Sequence, residues 1–220
     1  MAGMRQIDWS VYLVTDNRLL GERPLEDVVQ ASIRGGAGVV QYRDKQSSTR
    51  VLVEKAALLR AVCREAGVCF LINDRIDVAL AVEADGVHLG QEDMPPGLAR
   101  KILGPDRCIG VTVHNLEELK QAEADGADYL SAAPVFATTT KPDHQQPLGF
   151  EGVKRLALAA RKPLVAIGGI DPINAAGVIS SGARGVCVVS AVMAAVDPEQ
   201  ATRALYALVA GHKAGWQRQI

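Results

Sequence analysis

The chain has 220 residues, 48% apolar and 22% charged, enough to bury a sizeable core in one large domain or two small ones. A net charge of −1 with no long basic run gives no reason to expect nucleic acid or an anionic membrane as partner. No apolar stretch approaches the roughly 20 residues that cross a bilayer, and the first apolar run, Val11-Tyr-Leu-Val14, is strand-sized rather than the core of a signal peptide.

Short apolar runs recur along the chain and predict strands at Val11–Asp16, Val39–Lys45, Cys69–Asn73, Gly86–Gly90, Cys108–Val113, Tyr129–Pro134, Leu164–Gly169 and Val186–Ser190. The gaps between them are mostly amphipathic and predict helices at Pro24–Arg34, Thr49–Glu65, Leu116–Ala124, Phe150–Ala160, Asn174–Ile179 and Glu199–Leu208. Asp74–Val82 and Pro95–Leu103 leave room only for short helices. Alternation of strand and helix implies a parallel sheet, and eight strands in one series point to a closed (β/α)₈ barrel forming one domain over 1–220. An open doubly wound sheet is the alternative. It usually carries a G-x-G-x-x-G or P-loop motif when it binds nucleotides, and neither occurs here. A weak repeat, Gly36-Ala-Gly38, Ala84-Asp-Gly86, Gly126-Ala-Asp128 and Gly182-Ala-Arg-Gly185, precedes alternate strands, where glycine is expected to end a helix in the left-handed region.

Cys63, Cys69, Cys108 and Cys187 form no C-x-x-C pair and sit in or beside apolar segments, as small buried thiols of a reducing cytoplasm would.

In a barrel of this kind chemistry sits at the C-terminal ends of the strands. Side-chain alternation places Gln41, Arg43 and Lys45 on one face of the second strand and Tyr42 and Asp44 on the other. Two cations on one face read either as an anion site or as solvated residues past the strand's end. Asn73-Asp74 ends the third strand and Asp93 follows the fourth, so two carboxylates rise from adjacent loops beside those cations. Paired carboxylates suit a Mg²⁺ ion completed by phosphate oxygens and water; a helix cap at Asp74 and a solvated acid at Asp93 are the plain alternatives. The long polar stretch from Pro134 through Thr138, Thr140 and Lys141 to Gly149 has hydroxyls and a lysine for an anion, or is simply a solvated loop. Gly168-Gly169 ends the seventh strand, and Val189-Ser190 ends the eighth and opens a helix. Backbone amides there commonly cradle phosphate. His88 reads as a buried, satisfied histidine, while His114 closes the fifth strand beside Thr112 and can face the mouth. Two anion sites, one with metal, suit the joining of two phosphorylated small molecules with pyrophosphate leaving.

These residues resemble thiamine-phosphate synthase over nearly the whole chain, through QYRDK (Gln41–Lys45), IND (Ile72–Asp74), DGVHLGQED (Asp85–Asp93), TTTK (Thr138–Lys141), IGGI (Ile167–Ile170) and VVSA (Val188–Ala191). The resemblance implies a pyrimidine diphosphate site of Gln41, Tyr42, Arg43, Asp44, Lys45, Asn73, Thr112 and Lys141. Arg43, Lys45 and Lys141 carry the catalytic charge, and Asp74 and Asp93 hold Mg²⁺. Thr138, Thr140, Gly169, Val189 and Ser190 would take the thiazole phosphate. Thr112 stands where the family usually has serine, and Ser131-Ala-Ala-Pro134 replaces a more glycine-rich segment. The implied reaction condenses hydroxymethylpyrimidine diphosphate with a thiazole phosphate, carboxylated or not, by dissociative loss of pyrophosphate and without a protein nucleophile. Rival readings are a thiazole tautomerase with His114 as proton shuttle, another phosphosugar barrel enzyme, and a non-catalytic phosphate-ligand sensor. A homo-oligomer is compatible with the sequence.

Overall fold

The computed structural model describes residues 7–138 and 146–216. The chain runs β1 (Val11–Val14), α1 (Leu25–Arg34), β2 (Val39–Tyr42), α2 (Thr49–Ala66), β3 (Cys69–Asn73), α3 (Ile76–Ala81), β4 (Gly86–Leu89), α4 (Pro96–Leu103) and β5 (Cys108–Val113), then α5 (Leu116–Ala124), β6 (Tyr129–Ala132), α6 (Gly149–Ala159), β7 (Leu164–Ile167), α7 (Ala175–Ser180), β8 (Gly185–Val188), α8 (Ser190–Met193) and α9 (Pro198–Trp216). Neighbouring strands pair in parallel in sequence order. β8 returns to β1, with Val11 opposite Val186 and Leu13 opposite Val188, so the sheet closes and the open alternative is excluded.

Alternation along each strand sorts its residues into two apolar layers. Val11, Leu13, Val40, Phe70, Ile72, Val87, Ile109, Val111 and Leu130 face outward under the helices. Tyr12, Val14, Val39, Leu71, Cys108, Tyr129, Val165 and Cys187 fill the barrel interior. Toward the C-terminal ends of β2 to β6 that interior turns polar, with Gln41, Asn73, His88, Thr112 and Ser131 buried or half-buried. Burial pushes the thiols up, Cys63 to about 12 and Cys187 well above its usual value, which keeps them protonated and inert.

β3 and β5 end where their apolar runs end, and the other six strands stop one to three residues earlier. β2 is the clearest case: it stops at Tyr42 because Arg43 N–H leaves the ladder and donates to Thr15 Oγ1 at 3.0 Å. The repeat before the strands also differs in part from expectation. Gly36, Gly126 and Gly182 do sit at positive φ, but in the Ala84 copy Glu83 takes that place. Gly86 is instead within β4, where a Cβ would lie 1.9 Å from Cys108 O, so glycine there permits strand approach rather than a turn.

Two copies of the repeat share a further device. Asp85 Oδ2 accepts from Phe70 N–H at 2.8 Å and pairs with Arg60 of α2. Asp128 Oδ2 accepts from Ile109 N–H at 2.8 Å and pairs with Arg100 of α4. Arg100 also donates to the carbonyls of Gly104, Arg107 and Gly126, tying helix and loops to the barrel's N-terminal rim. Asp128→Ala is expected to destabilise the fold by about 3 kcal/mol, because a half-buried guanidinium and an amide lose their acceptor together. Chemical denaturation checks this; a loss within experimental error would show that the strut is ornamental.

Candidate active site

A cavity of about 630 Å³ opens at the C-terminal ends of the strands. Three groups of residues line it, and each comes from a predictable place in a βα unit.

The first group is charged. Arg43 and Lys45 follow β2, Asn73 ends β3 and Asp74 follows it, and Gly90 to Asp93 follow β4; all line the cavity. Asp74 has φ of 60°, a left-handed conformation uncommon outside glycine. Its N–H donates to His88 O at 2.9 Å, which locks that turn against β4. α3 begins after Arg75 with no side-chain cap, so Asp74 is not spent on capping. Its carboxylate pairs with the Lys45 ammonium and also lies in hydrogen-bonding contact with Asp93. Burial first, and Asp93 second, push the Asp74 carboxyl up, while Lys45 opposes them. Asp93 Oδ2 accepts from Gly90 N–H at 2.7 Å, which aims it back toward Asp74. Arg43 forms no ion pair among the described residues; its charge helps to lower the Asp16 carboxyl, and Arg43 lines the cavity.

Two hard oxygen donors held together fit Mg²⁺, which keeps water and phosphate oxygens for its other positions. Among the described residues no cluster of three His, Cys, Asp or Glu side chains exists, so a cage built wholly from protein is absent there.

The second group is nearly bare backbone. Gly168, Gly169, Val189 and Ser190 line the wall opposite, with Thr138 beside them. Val135 N–H and Phe136 N–H donate to Ile167 O and Gly168 O, extending the β6–β7 pairing into the loops. Gly169 has φ of 62°, and a Cβ there would lie 2.7 Å from Ala137 O. Asn174 Nδ2 donates to Gly169 O at 2.8 Å and fixes that peptide. The N–H groups of Gly169 and Ser190 reach no protein acceptor among the described residues.

The third group is the floor: Tyr12, Gln41, His88, Thr112 and Ser131. His88 Nδ1 meets Tyr129 Oη at 2.7 Å and Nε2 meets Thr112 Oγ1 at 2.8 Å, the buried, satisfied histidine that its position in a strand implies. His114 also lines the cavity, with Nδ1 on Glu118 Oε2 at 2.8 Å.

One barrel mouth therefore faces a cationic and acidic wall with a wall of free amides, across a floor of polar and aromatic side chains. A family model described as thiamine monophosphate synthase matches residues 11–192. The chain belongs to that family. A thiamine-phosphate synthase of Chloroflexus aurantiacus is 53% identical over 203 residues, 92% of this chain and 94% of that protein. One of Moorella thermoacetica is 48% identical, covering 91% and 96%. Among solved structures, a thiamine phosphate pyrophosphorylase of Pyrococcus furiosus superposes with a TM-score of 0.87 at 41% identity, covering 93% of this chain and 97% of that one. Membership of the thiamine monophosphate synthase family makes the chain a transferase. Among the described residues no helix is long and apolar enough to cross a membrane.

For this family member the structure brings together Gln41, Arg43, Lys45, Asn73, Asp74, Asp93, Thr112, Thr138, Gly169, Val189 and Ser190 around one cavity. Thr140 and Lys141 lie outside the described residues. Tyr42 and Asp44, implied as diphosphate ligands, do not line this cavity. Tyr42 points outward and is buried under the helices, because alternation turns it away from Gln41 and Arg43. Asp44 spends its carboxylate on Asn17 Nδ2, Ser47 Oγ and the Gln46 and Ser47 amides, and so shapes the loop after β2 instead. Motif reading missed Tyr12, Gln91, Glu92 and Glu118 as lining residues. Tyr12 was legible in principle, since it is the polar aromatic on the inward parity of β1.

Proposed function

We propose that the chain joins hydroxymethylpyrimidine diphosphate to phosphorylated hydroxyethyl-methylthiazole, forming thiamine phosphate and pyrophosphate. The observation that carries this reading is Arg43, in no ion pair among the described residues, beside Lys45 and the Asp74–Asp93 pair, facing free amides at Gly169 and Ser190 across one cavity. A site for one phosphorylated molecule needs only one of those walls.

Arg43 and Lys45 bind the diphosphate, the arginine through its planar fork and the lysine as a point charge. Asp74 and Asp93 would hold Mg²⁺, which when bound supplies charge neutralisation at the diphosphate oxygens. Gln41 and Thr112 orient the aminopyrimidine ring on the floor. The methylene carbon–oxygen bond breaks and its electron pair leaves with pyrophosphate, while the amine-bearing ring spreads the positive charge left on carbon. Gly169, Val189 and Ser190, with Thr138, hold the thiazole phosphate so that the thiazole nitrogen lone pair forms the new carbon–nitrogen bond. No proton need move to or from the protein. Proximity of two bound substrates supplies much of the remaining acceleration.

The test mixes protein, Mg²⁺ and both substrates and measures thiamine phosphate and pyrophosphate with each component omitted in turn. Both products should appear in equal amounts only in the complete mixture. Isomerisation of a thiazole phosphate without the diphosphate or the metal would overturn the reading.

A further inference from the structure

The floor of the cavity is one end-to-end hydrogen-bonded chain across the barrel. Gln41 Nε2 meets Tyr12 Oη at 2.6 Å, Tyr12 Oη meets Tyr129 Oη at 2.7 Å, Tyr129 Oη meets His88 Nδ1 at 2.7 Å, and His88 Nε2 meets Thr112 Oγ1 at 2.8 Å. Tyr12 and Tyr129 are almost wholly buried, and Trp9 packs against Tyr129 at a tilt of 37° with ring centroids 4.5 Å apart. Gly110 makes the room: a Cβ there would lie 1.9 Å from Tyr129 Cζ.

With His88 neutral, such a chain can be polarised end to end in two ways, because each hydroxyl has one proton and a neutral imidazole has one N–H. Burial holds both tyrosines well above their usual pKa, so each keeps its proton. With the Gln41 amide nitrogen against Tyr12, the nitrogen can only donate. Tyr12 must then donate to Tyr129, and Tyr129 to His88 Nδ1. The imidazole proton is left on Nε2 and is given to Thr112 Oγ1. The Thr112 hydroxyl proton is thereby released toward the cavity, and so is the Gln41 carbonyl oxygen. Turning the amide over reverses every link and makes Thr112 an acceptor toward the cavity. Donor and acceptor on opposite sides of the floor are thus set together.

We propose that Tyr12, Tyr129 and His88 are positioning residues that hold Gln41 as acceptor and Thr112 as donor toward the ring of the substrate. The arrangement selects a heteroaromatic ring that offers an amine to one side and an unprotonated ring nitrogen to the other, and rejects the analogue with an oxo group in place of the amine. None of the three need touch reacting atoms. The selection of an aminopyrimidine rests on the reaction proposed above; the polarity of the chain does not.

The experiment has two readouts. Nitrogen-15 spectra of histidine-labelled protein, with no substrate present, should show His88 as a single neutral Nε2–H tautomer. In Tyr129→Phe, which keeps the ring but cuts the chain, both tautomers should appear. An Nδ1–H tautomer or a mixture in the unaltered protein overturns the polarity whether or not the variant folds. The second readout is calorimetric binding of the aminopyrimidine diphosphate and its oxo analogue, each with Mg²⁺ and without the thiazole. The preference for the amine should fall roughly tenfold in Tyr129→Phe and in Tyr12→Phe, the order expected for one buried hydrogen bond, while binding of inorganic pyrophosphate stays unchanged. Equal losses for both analogues and for pyrophosphate would show general structural damage and overturn the proposal. A chain that makes no thiamine phosphate but shows the Nε2–H tautomer would refute the reaction and leave the polarised chain standing.

Discussion

Asp74→Asn is expected to lower turnover by about a thousandfold while leaving the fold intact. Metal-assisted charge stabilisation is worth several kcal/mol, and about 1.4 kcal/mol is tenfold in rate. Asparagine is the right replacement because position 74 sits at φ of 60°, which asparagine tolerates better than most residues. It also matches the carboxylate in shape and removes only the charge that a cation needs. Stability should move the other way. The folded protein holds the Asp74 proton more tightly than the unfolded chain does, through burial and then Asp93, with Lys45 in opposition. The stability this gives is complete below the ordinary carboxylate pKa and is lost as pH rises through the raised value. Without metal, the melting temperature of the unaltered protein should therefore fall across that interval, and the variant should lack that component. At neutral pH the metal-free variant should melt no lower than the parent. Steady-state kinetics at saturating Mg²⁺ decide the first half: near-normal turnover in Asp74→Asn removes the metal assignment of both carboxylates.

Gly169→Val should raise the KM for the thiazole phosphate by about a hundredfold, with a smaller effect on the KM for the pyrimidine diphosphate. Two independent costs meet at this residue. A β-branched side chain at φ of 62° is strained by roughly 1–3 kcal/mol. Its Cβ would also press on Ala137 O at 2.7 Å and Phe136 Cβ at 2.9 Å, so the loops after β6 and β7 must separate. Separation moves the Gly169 amide and Thr138 out of register with Ser190, and each lost charge-assisted hydrogen bond to phosphate is worth about 1.5–3 kcal/mol. Gly104 gives the control. It has φ of 78° with nothing within 4 Å of where a Cβ would stand, and its loop lies away from the cavity lining. Gly104→Ala should lower the melting temperature and leave both KM values alone. An unchanged thiazole phosphate KM in Gly169→Val would count against the amide cradle.

The barrel itself was legible because burial on both sides writes each parallel strand as a short apolar run, and the amphipathic gaps between runs write the helices. The charged wall was legible for a related reason. Arg43, Lys45, Asp74 and Asp93 occur where apolar runs end, and in this architecture strand ends share one face. The resemblance through QYRDK implies Tyr42 and Asp44 as ligands. Strand alternation sets Tyr42 on the outward face, where the structure puts it, while Asp44 lies in the loop beyond β2.

Sequence by itself thus determined the alternation of elements, the two-sided burial of each strand and the end of the barrel that carries charge, since all three follow from local periodicity. Tertiary structure alone decided three further matters. It turned Asp93 back onto Asp74, left Arg43 outside any ion pair among the described residues, and joined Tyr12, Tyr129, His88 and Thr112 across four strands. The physical reason is distance along the chain. Tyr12 and Tyr129 are 117 residues apart, and no local pattern encodes which inward side chains meet when a sheet closes on itself.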